Sequence, residues 1–422
     1  MRCLQDPELD PLGFKVDPAS REFAGSSKML WSNSPESIDQ NVLAKPVLAM
    51  ADVSLGEFLV ACHHKNATDS RQYLRVVIKN ESPTNYAYVT VHQNAHGYFE
   101  VGPPGTGHGV AIAGRDAAFK FFANINRTVN GFPPPWTVPI APNGALVIWL
   151  GKEDLFSPFP YLEGQPGLHG VATAMVRCVA FAPVKVFVVA GMGGDFDLAD
   201  PKYWSKRTVT DPNTGETRPR GSLPDYRIIN DYRQADESDI VEIRVPNDFA
   251  RRKYLILLDD SVAAWKTLND EMAGALGQSP NVEFRGEYHV VQEILFRARN
   301  FEPNNSFDVG VIVNPRGGDL GGAALVEAGP VVYAIAPACE NPDPDPCKHN
   351  LGILRIPPPE CKDADNNPIP RQGMNLLPFP AGCGSTPPCT HELSFKYILG
   401  GGGNAPVAFV AVPCSPLIAP PE

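Results

Sequence analysis

The segments Glu57-Phe58-Leu59-Val60-Ala61-Cys62-His63-His64, Tyr73-Leu74-Arg75-Val76-Val77-Ile78-Lys79-Asn80 and Tyr86-Ala87-Tyr88-Val89-Thr90-Val91-His92-Gln93 decide the fold class. Each is short, rich in β-branched and aromatic residues, and either alternates in polarity or runs unbroken apolar, as strands with one or both faces buried do. Turn-forming residues bracket them: 80–85 reads Asn-Glu-Ser-Pro-Thr-Asn and 102–107 reads Gly-Pro-Pro-Gly-Thr-Gly. Working outward, the same signal recurs at 145–151, 170–181 and 184–192. One helix is predicted over 114–126, where Ala118, Phe119, Phe122 and Ile125 share a face at helical spacing. Glycine (37) and proline (44) are scattered between the apolar runs, the usage expected of many short strands joined by turns.

A second series of strand signals lies at 239–245, 253–260, 287–298, 307–315, 321–328 and 331–338. A helix is predicted over 261–276, with Ser261 as N-cap and a stripe of Val262, Trp265, Leu268, Met272 and Leu276. Two last strands, 392–400 and 406–414, flank a run of glycines that lacks the Lys and Ser/Thr of a phosphate loop. The expected fold is mainly β: two antiparallel β-sandwich domains, a few short helices and a disulfide-rich C-terminal region. The corresponding division is an extended N-terminal arm (1–28), a β-sandwich domain (29–200) and a polar linker or long loop (201–238). A second β domain with one helix (239–336) and a Cys/Pro-rich region with terminal strands (337–422) complete it.

The formal net charge of -11 and the absence of a basic stripe argue against a nucleic-acid partner, because affinity for phosphate backbones comes mainly from Lys and Arg. No segment reaches the ~18 uninterrupted apolar residues of a spanning helix, so membrane insertion is not expected. The first thirty residues carry no apolar signal-peptide core, which leaves the export route open.

Six of the nine cysteines, Cys339, Cys347, Cys361, Cys383, Cys389 and Cys414, fall in a proline-dense segment poor in long apolar runs. Such a segment needs staples, and the spacings lack the paired knuckles of a zinc site, so disulfides are the expected use. Cys62 and Cys178 sit in strand-like runs, where a buried thiol is the plain reading, and they complete the set of disulfide candidates. Cys3, on a polar arm with Pro7, Pro11 and Pro18, is the candidate for a bond between subunits. For metals, His63 and His64 with His92 and His96 offer imidazoles, although neighbours on a strand face opposite ways and only one of the first two can join a given site. Asp195, Asp197 and Asp200, and Asp363, Asp365 and Asn367, place oxygen ligands closely on turns, so calcium is the one cofactor considered; no other is expected. N-x-[ST] sequences at Asn66, Asn80, Asn126 and Asn304 are expected by chance in a chain this polar and say no more than that these loops are open to exposure. No nucleophile elbow is present, Cys62 beside His63 is a strand adjacency without an orienting third group, and the chain reads as non-enzymatic.

The run Leu30-Trp31-Ser32-Asn33-Ser34-Pro35-Glu36, the apolar-His-His segment 58–64, the Val-Val-Ile-Lys-Asn of 76–80 and Asn314-Pro315-Arg316-Gly317-Gly318 together resemble a group of bacterial surface proteins. They occur in cyanobacteria and Firmicutes, and some are labelled after a copper amine oxidase N-terminal domain. The resemblance spans 30–330. It implies a secreted or envelope-associated β-protein and carries over no catalytic residue and no copper chemistry. The expectation is a structural subunit of an extracellular or cell-surface filament, tube or layer, associating with copies of itself through the arm and sheet edges. A virus-particle protein and a glycan- or metal-binding surface module are the alternatives.

Overall fold

The computed structural model describes residues 2–3, 15–16, 20–101, 108–154, 157–192, 197–208, 218–233, 241–243, 254–256, 266–284, 287–300, 308–314, 322–326, 331–335, 376–378, 389–400 and 408–415. It is mainly β, with mixed sheets that remain open. The central layer is a ten-stranded sheet in the order Trp136–Ile140, Ala87–Val101, Leu168–Ala180, Gly56–Asn66, Lys28–Ser32, Arg220–Leu223, Lys266–Asn269 and Asn281–Phe284, with two short strands alongside. A four-stranded sheet of Ala145–Leu150, Leu74–Lys79, Val184–Ala190 and Val47–Val53 covers one face. Phe58, Val60, Cys62, Val76, Ile78, Val89, Val91, Val176, Cys178, Val186 and Val188 interdigitate between the two sheets.

The opposite face of the central sheet is also covered, which is why Phe58 to His64 is buried without interruption rather than at alternate positions. Met29, Trp31, Leu59, Ala61, Ala95 and Met175 point there and meet residues of the helix His108–Phe122 and of a seven-stranded sheet. That sheet runs Val331–Ile335, Gly322–Val326, Cys389–Leu399, Val291–Asn300, Arg227–Asp231 and Ser20–Phe23, with Val241–Ile243 on Val291–Asn300. Glycine permits the helix to sit so close: a Cβ on Gly97 would lie 1.7 Å from the Ala113 carbonyl oxygen, and one on Gly400 2.5 Å from the Gly114 carbonyl carbon. A six-stranded sheet collects Lys15–Val16, Tyr254–Ile256, Ala408–Ser415, Asp308–Asn314 and Leu376–Pro378, and Arg2–Cys3 pairs with Ala408–Ser415.

Most pairings are antiparallel, but Lys28–Ser32 runs parallel to Gly56–Asn66, and Arg227–Asp231 parallel to Val291–Asn300. The expected boundaries do not follow the sheets. The segment read as a linker, 201–238, supplies Arg220–Leu223 to the central sheet and Arg227–Asp231 to the seven-stranded one. Its polarity had suggested solvent exposure, yet Arg207, Arg220, Ser222 and Asp225 are buried in ion pairs and hydrogen bonds. Ser20–Phe23, assigned to the arm, is a strand on Arg227–Asp231.

The helix expected over 261–276 is not formed across its described part. Lys266–Asn269 is a strand paired with Asn281–Phe284, followed by a single 3-10 turn, Gly274–Leu276. Leu268 and Met272 are both buried, but in separate clusters, so their four-residue spacing reflects a strand leading into a turn. Ser261, Val262 and Trp265 lie outside the described residues. The other expected helix exists but starts six residues earlier and ends four earlier, as His108–Phe122; Ala113, Ala117, Ala118 and Phe121 are among its buried residues, while Ile125 lies past its end and is exposed.

Candidate functional site

His63 and His64 are buried, and strand geometry sends them to opposite sides of the central sheet. His64 faces the sandwich core. Its Nδ1 lies 2.9 Å from the Pro35 carbonyl oxygen and so donates to it, which leaves Nε2, 2.9 Å from Ser32 Oγ, to accept. His96, on the same face, is 2.6 Å from Asn94 Oδ1 through Nε2 and 3.3 Å from Arg127 through Nδ1. Both rings spend both nitrogens on the protein. By register His64 stands opposite Ala172, and His96 opposite Ala174 on the far side of that strand. They are thus two strands and two residues apart, about 12 Å, and the sheet does not bring the histidines together around a metal.

His63 faces the seven-stranded sheet, with Nδ1 2.6 Å from Thr173 Oγ1. Near it His289 stacks on Trp31 at 5.1 Å between ring centroids, and Phe284 packs on the same indole at 5.6 Å. His63 Nε2, both nitrogens of His289, Trp31 Nε1 and Asn33 Oδ1 are buried without a hydrogen-bond partner. Burial pushes the imidazoles down: His63 to about 4, assisted by the charge of Arg218, and His289 to about 3, assisted by His63. Burial likewise holds His64 at about 3 and His96 well below the ordinary range. The result is a seam of neutral imidazoles, which sequence polarity alone did not reveal because His289 is distant in the chain. Among the described residues no group of three or more His, Cys, Asp or Glu is placed to hold a metal ion.

The turn carboxylates have structural roles where they are described. Asp200 accepts from the Lys202 amide at the start of the turn Pro201–Tyr203, and its side-chain pairing with Lys202 holds the carboxyl below its usual range. Asp197 accepts from the Ala199 amide and lies 3.6 Å from Lys79 Nζ. Asp195, Asp363, Asp365 and Asn367 lie outside the described residues. The sequons at Asn66 and Asn80 mark buried side chains, not exposed ones. Asn80 Nδ2 donates to the carbonyls of Asn85, Ile140 and Ala141, and Asn66 Nδ2 to those of Ser70, Leu162 and Glu163.

Cys62 and Cys178 are free thiols, which removes them from the disulfide candidates. On adjacent strands Cys62 stands opposite Ala174 and Cys178 opposite Phe58, a four-residue offset. That separates them by about 14 Å along the strand, beyond the ~7 Å limit for a bridge. Burial raises the Cys62 thiol to about 12 and Cys178 further, so neither is a nucleophile in the folded protein. Cys339, Cys347, Cys361 and Cys383 lie outside the described residues.

The concave surface of interest lies at one end of the sandwich, a groove of about 670 Å³ formed around Lys28, Asp52, Leu55, Glu57, Glu81 and Tyr86. Leu55 (68% exposed), Tyr86 (58%) and, at the neighbouring turn, Phe181 (59%) give this end an apolar rim. Its charges are internally matched: Lys28 reaches Glu271 at 2.8 Å, and Lys185 lies 3.5 Å from Asp52 and 3.3 Å from Glu81. Glu57 accepts from the Tyr226 hydroxyl, and burial followed by that carboxylate pushes the phenol up to about 12. Apolar residues in turns are the sequence signal that would have found this rim. Comparison with protein-family models and with curated proteins finds no match for the chain.

Proposed function

We propose that the chain is a non-catalytic structural subunit of an extracellular or cell-surface assembly, joined to copies of itself through its N-terminal arm. The observation that carries this reading is how the arm is held. Arg2–Cys3 and Lys15–Val16 are added as two-residue strands to a sheet built from residues 254–415. Strand addition of this kind uses main-chain hydrogen bonds, and a neighbouring copy can supply the same strand. Among the described strands, Trp136–Ile140 stands at an edge of the central sheet and is unsuited to such pairing, because Pro139 lacks an amide donor. The resemblance to bacterial surface proteins in 30–80 and 314–318 points the same way.

Size-exclusion chromatography with light scattering and negative-stain imaging, on the full chain and on a variant lacking residues 1–19, tests this. Assemblies that fall to monomers on deletion support it; a monomeric full chain, or assemblies indifferent to the deletion, overturn it. The groove with its Leu55 and Tyr86 rim supports a second reading, a glycan-binding surface module, in which an aromatic ring stacks on a sugar face. Calorimetric titration with oligosaccharides, comparing the native chain with Tyr86→Ser, tests that.

A further inference from the structure

Three turns join the central sheet to the four-stranded one at the same end of the sandwich: 54–55, 80–86 and 181–183. Register fixes that end, since Ala180 stands opposite both Gly56 and Val89, and Val184 opposite Val53. Each turn carries a large apolar side chain to the outside. Of the seven such side chains exposed among the described residues, Leu55, Tyr86, Tyr88 and Phe181 lie here, whereas Ile125, Phe132 and Met192 lie away from this end. The Phe181 amide donates to the Tyr88 carbonyl at 3.0 Å, so the ladder continues one step into the turn and sets Phe181 between Tyr88 and Leu55. These three form one strip across adjacent strands, and Tyr86, two residues from Tyr88, extends it.

About 100 Å² of each side chain is exposed at these fractions, roughly 400 Å² in all, the size of patch that on a single chain is often functional. Set against its own image about a two-fold axis, the strip covers ~800 Å² before any surrounding polar residue is counted, against ~1,000 Å² for a specific interface. Charge does not oppose such pairing, despite a net charge of -11 for the whole chain. The carboxylates beside the strip are engaged within the chain: Asp52 and Glu81 by Lys185, Glu271 by Lys28, and Glu57 by the Tyr226 hydroxyl. The same engagement leaves these groups poorly placed to bind sugar hydroxyls, which favours a protein surface over a glycan. Main-chain pairing is blocked at this corner, because Pro139 stands opposite Tyr88 on the edge strand, so contact here is by side-chain packing.

We infer that a second copy of this chain covers the strip in a two-fold contact, the same four side chains packing on their own counterparts. The inference rests on the self-association reading and supplies what growth requires. Reciprocal exchange of the arm closes a dimer, and a filament or layer extends only if each subunit has a second, separate contact.

Sedimentation velocity over a concentration series compares the native full chain with Phe181→Asp and with Leu55→Ser. Both positions are more than half exposed, so the thermal midpoints are expected to match the native one. Phe181→Asp brings like charges of two copies together and should weaken association by ~100-fold; Leu55→Ser should weaken it by about 10-fold. Assembly in Phe181→Asp should stop at the dimers that the arm alone holds. An assembly state unchanged in both variants overturns the inference, as does a native chain that is monomeric throughout the series; if the variants lose only oligosaccharide binding, the strip is a glycan surface. Deletion of residues 1–19 separates the two ideas. Assemblies that need the arm but ignore both substitutions sink the strip alone, and dimers that need the strip but ignore the deletion sink the arm alone.

Discussion

The buried imidazoles make the fold sensitive to mild acid. His63, His64 and His289 titrate near 4, 3 and 3 in the folded chain against 6.5 when unfolded. Below 6.5 the unfolded chain therefore binds protons that the folded chain refuses. Stability is fully present above that pH and falls as pH drops towards the folded values. At pH 5 each unfolded imidazole is mostly charged and each folded one neutral, a difference of about 2 kcal/mol per ring and about 6 kcal/mol for three. Against a typical total of ~5–15 kcal/mol this is decisive. His96 adds in the same direction, while Glu287, whose carboxyl is raised by burial against the opposing charge of Arg21, offsets part of the loss below its folded value. Guanidinium unfolding followed by tryptophan fluorescence at fixed pH values from 8 to 5 measures the slope. His289→Phe retains an aromatic ring against Trp31, removes two unpartnered nitrogens, and should lower the slope by about one proton while raising stability at pH 5 by ~2 kcal/mol. A stability flat between pH 7 and 5, or an unchanged slope in the variant, would refute the reasoning.

Gly97→Ala drives a methyl group into the Ala113 carbonyl and should displace the helix from the central sheet, costing roughly 3 kcal/mol or more, read as a fall in thermal midpoint. Asp270→Asn leaves the guanidiniums of Arg207 and Arg220, 3.0 and 2.9 Å from the carboxylate, buried without their counter-charge; denaturant unfolding should show a loss of about 3–5 kcal/mol. Cys62 and Cys178 should resist iodoacetamide in the native chain and react only after denaturation, which mass spectrometry of the labelled peptides checks. Tyr86→Ser, at an exposed position, should shift stability by less than ~0.5 kcal/mol, so any lost binding is attributable to the rim.

Strand positions were legible because their apolar content is set by the layers that cover them. The unbroken run from Phe58 to Ala61 announces a sheet buried on both sides, and Val76 to Ile78 a strand facing a dense core. Strand partnership was not legible, since Arg220–Leu223 reaches the centre of a sheet by neutralising Arg220 with Asp270, fifty positions away. The same blindness affected the histidine seam: the strand rule separated His63 from His64, but nothing near His63 in sequence names His289. Buried polar residues look like surface residues until their partners are known. The sequons at Asn66 and Asn80 show this most simply, because amides that organise turns from inside the protein carry the same three-letter pattern as exposed ones.

The interleaving of the chain has a consequence for synthesis. The seven-stranded sheet takes its first strand from Ser20–Phe23 and a central one, bonded on both sides, from Cys389–Leu399, while the helix it covers lies at His108–Phe122. Contacts so distant in sequence form slowly, and a ribosome must release nearly the entire polypeptide before that central strand can insert. Until then one face of the central sheet and its helix have no cover. Through the many seconds translation takes, the nascent chain therefore keeps that apolar face exposed, which is where aggregation during synthesis would begin.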